Sequence, residues 1–146
     1  VSLKEGVKSH TATRLNIDNA PSSLDLINMK TIAEKVFEPL RKFVGGPIAI
    51  NSFYRSPKLN SAIGGSTSSQ HCKGCAFDID DKYGYKTNAE MFKYIQCNLD
   101  YDQMIWEFGD VNNPDWVHVS YVSEDVNRRR CLIAYKENGK TKYKEI

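Results

Sequence analysis

Ser69-Gln70-His71-Cys72-Lys73-Gly74-Cys75-Ala76-Phe77-Asp78-Ile79 alternates after its glycine as a strand does. Cys75, Phe77 and Ile79 share one face, and Ala76, Asp78 and Asp80 share the other. The first face is apolar, so Asp78 points away from that core. His71 stands seven positions earlier. In one regular strand that odd offset would put His71 and Asp78 on opposite faces. A turn must intervene, and Lys73-Gly74 supplies one because glycine tolerates positive φ.

Histidine and aspartate are both metal-ligand types, and the chain has only three histidines: His10, His71 and His118. A catalytic zinc usually takes three protein ligands and leaves one position for water. The third candidate is His118, in the strand-like run of residues 114 to 120. Trp116, His118 and Ser120 lie on one face of that run, and Val117, Val119 and Tyr121 on the other. Two adjacent strands would bring His71, Asp78 and His118 together. Asp115 precedes His118 by three and is the candidate general base. His10, between Ser9 and Thr11 with no carboxylate nearby in sequence, is read as exposed and incidental.

At these residues the chain resembles a known family. Ser69-x-His71-x-x-Gly74-x-Ala76-x-Asp78, then Asp115-x-x-His118, is similar to peptidase family M15, the zinc D-Ala-D-Ala peptidases. Upstream, Ser52-x-Tyr54-Arg55-Ser56-Pro57-x-Leu59-Asn60 and then Gly64-Gly65 match the same pattern. The resemblance covers roughly residues 12 to 121. It implies one zinc ion on His71, Asp78 and His118, with Asp115 as base. It implies that Arg55 holds a substrate carbonyl or carboxylate, with Ser69, Tyr54, Gln70 and Trp116 binding substrate. The implied fold is α+β, a small and mainly antiparallel sheet with flanking helices. The implied substrate is a peptidoglycan stem or cross-link peptide, cut next to D-alanine or, as in lytic relatives, at L-Ala-D-Glu. A different class stays open: a zinc-containing module of this fold that binds cell wall, or builds a virion, without hydrolysis.

Composition narrows the field. The chain of 146 residues reads as one domain, with 40% apolar and 26% charged residues. A net charge of +2 gives no argument for nucleic acid. No apolar run reaches transmembrane length. Val1 to Gly6 carries no apolar leader. The expectation is a monomer acting on the cell wall, exported by another route, released by lysis or carried by a virion.

Cys72 and Cys75 form a Cys-x-x-Cys pair among four cysteines. A redox pair should open a helix, whereas this one leads into a strand. The thiols are therefore read as structural, with Cys75 a small core residue.

The remaining periodicity sets the elements. Residues 1 to 21 are a lightly helical lead-in. Met29, Ile32, Ala33, Val36, Leu40 and Phe43 recur at three and four, which predicts a helix over 22 to 44. Pro39 predicts a kink near Phe37-Glu38. Strands are expected at 47 to 54 and 101 to 107, a short helix at 58 to 63, and a helix opened by the Thr87-to-Glu90 capping box. Gly64 to Gln70 is a polar loop. Arg128-Arg129-Arg130 reads as a solvated basic run. Asn138-Gly139 marks a hairpin, expected to be an edge or accessory over residues 128 to 146.

Overall fold

The computed structural model describes residues 1–146. Two short helices, α1 (Leu3–Gly6) and α2 (His10–Leu15), form the lead-in. Next comes α3 (Ser23–Ile32), capped by the Ser22 hydroxyl and reciprocated by Asp25. The long helix does not simply kink at Pro39. Its backbone widens into a π-turn over Ala33–Phe37, and α4 (Glu38–Val44) continues from there. Proline has no N–H to give, and its ring would press on the carbonyl one turn back. A widened preceding turn relieves both. The remaining helices are α5 (Pro57–Ala62), with Ser56 as cap, and α6 (Asn88–Asn98), with Thr87 and Glu90 forming the expected box.

Six strands make one sheet: β1 (Ala49–Ser52), β2 (Ala76–Asp80), β3 (Gln103–Glu107), β4 (Trp116–Ser120), β5 (Arg130–Glu137) and β6 (Lys140–Glu145). Their spatial order is β1-β2-β4-β3-β5-β6. Every pairing is antiparallel except β3 with β5. The architecture is therefore α+β with a mostly antiparallel sheet, as the resemblance implied.

The two faces of the sheet are treated differently. Phe77, Ile79, Met104, Val117 and Val119 are buried in the main core with Ile32, Val36 and Leu40 of the long helix and Ile95 of α6. Phe77 meets Phe37 and Phe53 edge to face, with ring centroids 5.7 and 5.4 Å apart. The opposite face carries only a small apolar cluster, Ile105, Leu132 and Ala134. That face remains open and holds Asp78, His118 and Glu107. Cys75 is buried as expected, and all four cysteines are free thiols. No helix is long and apolar enough to cross a membrane.

The C-terminal hairpin is more than an accessory. Asn138 and Gly139 take φ of 53° and 76°, as a tight two-residue hairpin turn requires. Of the hairpin's two strands, only β6 lies at an edge of the sheet. β5 lies inside the sheet, in parallel register with β3 from Gln103↔Arg130 to Glu107↔Ala134.

Candidate metal centre and its cleft

Asp78 and His118 face each other across the antiparallel β2–β4 pair. Direct opposition on one face of the sheet brings His118 Nδ1 to 2.9 Å from Asp78 Oδ1. His71 arrives from a different element. The Ser69 hydroxyl accepts the His71 N–H and caps a 3₁₀ turn over Gln70–Lys73. Gly74 ends that turn at φ +73°, where a Cβ would lie 2.6 Å from the Asp25 carbonyl oxygen and from Met29 Cγ. Both conformation and space demand glycine here, and the reversal it allows places His71 beside β2. His71 Nε2 is then 3.4 Å from Asp78 Oδ1. The two imidazole rings meet edge to face at 5.1 Å.

The protonation pattern tests whether this trio suits a metal. His71 Nδ1 sits 2.7 Å from the Phe53 carbonyl oxygen. A carbonyl only accepts, so Nδ1 carries the hydrogen and Nε2 of a neutral ring presents a lone pair. His71 is 3% exposed, and burial holds its imidazole below its usual value even though Asp78 opposes this. The ring is therefore neutral, and its lone pair faces a carboxylate oxygen. Burial by itself would raise the Asp78 carboxyl; with His71 and His118 protonated, their charge and hydrogen bonds outweigh burial and hold it well below the carboxylate range. Two electron-pair donors converging this closely call for a cation between them. One donor atom from each of His71, Asp78 and His118 lies within 4.8 Å of the others. Two imidazoles and a carboxylate form a donor set that fits zinc. The Nδ1–H bond to Phe53 fixes which nitrogen of His71 is offered.

Arg55 completes the electrostatics. Its Nη2 is 3.4 Å from Asp78 Oδ2, the oxygen turned away from the histidines. Its Nε donates to Ser52 Oγ at 3.0 Å and its Nη1 to Asn60 Oδ1 at 3.3 Å. The guanidinium is thus held beside the candidate metal donors while still lining the cleft.

That cleft has a volume of about 990 Å³ and runs over the open sheet face. Ser69, Gln70 and Trp116 line it, as the sequence reading expected. The Trp116 ring leans on Phe108 at 5.5 Å. Tyr54 does not line it. Its side chain is buried in the main core, and its hydroxyl is pushed up to about 12 by burial and by Asp25. Tyr54 borders instead a smaller hollow of about 440 Å³ that also includes His10. It follows Phe53 off the end of β1, and both side chains pack into the main core.

Asp115 also lies elsewhere. It is exposed and absent from the cleft lining. β4 begins in regular register at Trp116, paired with Glu107, and no bulge swings the preceding residue toward His118. What Asp115 contributes is backbone: its N–H donates to the Glu107 carbonyl at 2.9 Å, and its own carbonyl accepts from Asn88 Nδ2 at 3.1 Å.

The carboxyl group in the cleft is Glu107, which sequence reasoning missed. It ends β3 opposite Trp116, two residues along from Ile105, which pairs with His118. It is 8% exposed. Burial pushes its carboxyl up to about 7; Asp78 adds to this, while His118 and Arg55 oppose it. A carboxyl balanced near neutrality beside a metal-type trio is suited to both accepting and returning a proton. Tyr143 of β6 reaches the same cleft. Its hydroxyl is raised by burial and then by the negative charges of Glu107 and Asp78.

Glu107 makes a pH-dependent prediction for the metal-free protein. Its folded-state value lies above that of an unfolded glutamate, so the fold binds this proton more tightly. The stabilisation it gives is complete below the unfolded value of about 4.3 and is lost as pH rises through about 7. Glu107→Gln keeps the shape and cannot ionise. In urea unfolding, the metal-free Gln variant should match wild type near pH 4 and exceed it by about 3 kcal/mol at pH 8. Parallel stability curves would show that Glu107 ionises as an ordinary surface carboxylate does.

A close set of metal-type donors, a buried carboxyl in the same cleft and an open groove are the parts that a metal-dependent hydrolase site requires. The family model for Peptidase M15 matches residues 2–120. The chain belongs to the Peptidase M15 family, a family of zinc peptidases. No curated protein matches the chain. Residues 121–146, including β5 and β6, lie beyond the family match.

Proposed function

We propose that this chain is a zinc metallopeptidase that hydrolyses stem or cross-link peptides of peptidoglycan, next to D-alanine or at another bond of the stem. The observation that carries the reading is geometric: Glu107, a buried carboxyl, lines the same cleft as His71, Asp78 and His118, on the sheet face of Asp78 and His118. A module kept only for binding has no use for such a carboxyl, which favours hydrolysis over the wall-binding alternative. His71, Asp78 and His118 would hold the zinc. When bound, the ion supplies a Lewis acid that polarises the scissile carbonyl and acidifies water.

The chain's own residues do the rest. Ionised Glu107 accepts a proton from the attacking water at a carboxylate oxygen. It then returns that proton to the leaving amine nitrogen as the C–N bond breaks. Arg55, steadied by Ser52, Asn60 and Asp78, donates N–H groups to the substrate oxygen on which negative charge develops. Asp78 keeps Arg55 in place with one oxygen and faces both histidines with the other. Trp116, packed on Phe108, forms an apolar wall for the peptide backbone. The place of action is the cell wall.

Mass spectrometry of soluble material released from purified peptidoglycan tests this. Zinc-loaded wild type should release trimmed or cut stem peptides, and the product masses name the bond. Intact zinc-loaded protein that binds peptidoglycan saturably and releases nothing would transfer the reading to the binding-module class.

A further inference from the structure

One wall of the cleft comes from residues beyond the family match: Arg128, Arg130, Leu132, Thr141 and Tyr143. The lining as a whole holds three arginines against two carboxylates, and both carboxylates, Asp78 and Glu107, belong to the chemical end. Arg55 is engaged by Asp78, and Arg130 donates its Nε to the exposed Glu145. Arg128 is held in another way.

Its partner is Asp102, 3% exposed. Arg128 donates three N–H groups to that one carboxylate: its backbone N–H at 3.0 Å, Nε at 3.1 Å and Nη2 at 2.7 Å. Gln70 Nε2 donates to the same carboxylate at 2.9 Å. Burial would raise the Asp102 carboxyl, but the hydrogen bonds from Arg128 and Gln70 hold it below its usual value. The clamp therefore ties the hairpin wall to the loop residue next to His71. It uses only one edge of the guanidinium. Nη1 has no protein partner, and the side chain is 52% exposed and lines the cleft. A planar fork locked along one edge and open along the other is preorganised for a second carboxylate, because its rotamer freedom is already spent.

We infer that Arg128, presented by buried Asp102, binds a carboxylate of the peptide substrate and so selects acidic peptides. This rests on the peptidase reading of the cleft. The carboxylate has two sources in a stem peptide, the side branch of an acidic residue or the chain terminus, and both offer the same two oxygens.

The test is a binding titration. Zinc-loaded Glu107→Gln, which should not turn substrate over, is titrated by calorimetry with a soluble stem pentapeptide ending in D-Ala-D-Ala. Two further peptides carry an amide in place of either the glutamyl carboxylate or the C-terminal carboxylate. One of the two amidations should weaken binding about tenfold or more, and it names the source. In Glu107→Gln/Arg128→Gln, the parent peptide should bind as weakly as that amide, with no further loss on amidation. Arg128→Lys, which keeps the charge and loses the fork, should recover only a small part; it carries the comparison if the Gln variant does not fold. Equal losses for all three peptides, or no binding of the parent peptide, would overturn the inference. The peptidase reading is decided separately by wild-type release from peptidoglycan.

Discussion

Replacing Glu107 with Gln should lower kcat on peptidoglycan fragments by about 10²- to 10⁴-fold, the range a positioned acid–base group contributes. Zinc content and fold should be unchanged, because the amide fills the same space and Glu107 is not among the metal-type donors. The paired variant is Asp115→Asn, which should change kcat by less than about threefold, as for an exposed side chain outside the groove. Together the two variants separate two carboxylates that sequence spacing alone could not rank. Steady-state hydrolysis of a defined stem peptide reads both. Loss of turnover in Asp115→Asn with Glu107→Gln intact would return the base to the position expected from the Asp115-x-x-His118 spacing.

Asp78→Ala should have the second large effect. It removes the one carboxylate that faces both histidines and leaves Arg55 without its charged partner. Wild type, given zinc at about a thousand times its Kd, gains about 4 kcal/mol of stability by mass action. The variant should gain almost nothing, and its hydrolysis should fall below detection. Thermal unfolding with and without added zinc measures the difference. An undiminished zinc response in Asp78→Ala would place the ion elsewhere, with Cys72 and Cys75 the first residues to examine.

Much of this was legible in the sequence because it depends on local rules. Alternation from Ala76 to Asp80 placed Phe77 and Ile79 inward and Asp78 outward, and Gly74 announced the reversal that brings His71 back. The Thr87-to-Glu90 box marked where α6 begins. Glu107 was hidden because its place in the cleft is a matter of register. Its face is defined only once β3 is paired with β4, and its titration only once the groove around it is closed. One signal was available: Gln103, Ile105 and Glu107 share a parity in a strand that ends on an acid, and an antiparallel return to Trp116-x-His118 aligns them. Asp115 lies outside the groove because β4 begins only at Trp116, and spacing from His118 says nothing about whether a strand has begun. Tyr54 stands next to Arg55 in the motif, yet its side chain packs into the main core and not into the cleft. The role of the hairpin depended on the parallel β3–β5 pairing, a long-range match that no local pattern encodes.

The central claim is that His71, Asp78 and His118 together hold one metal ion in this groove. Native mass spectrometry of the chain after zinc loading and dialysis measures it most directly, with His71→Ala and His118→Ala alongside. The expected result is one zinc per wild-type chain and none in either variant, each still folded by circular dichroism. A wild-type chain that emerges metal-free, or histidine variants that keep their zinc, would contradict the account.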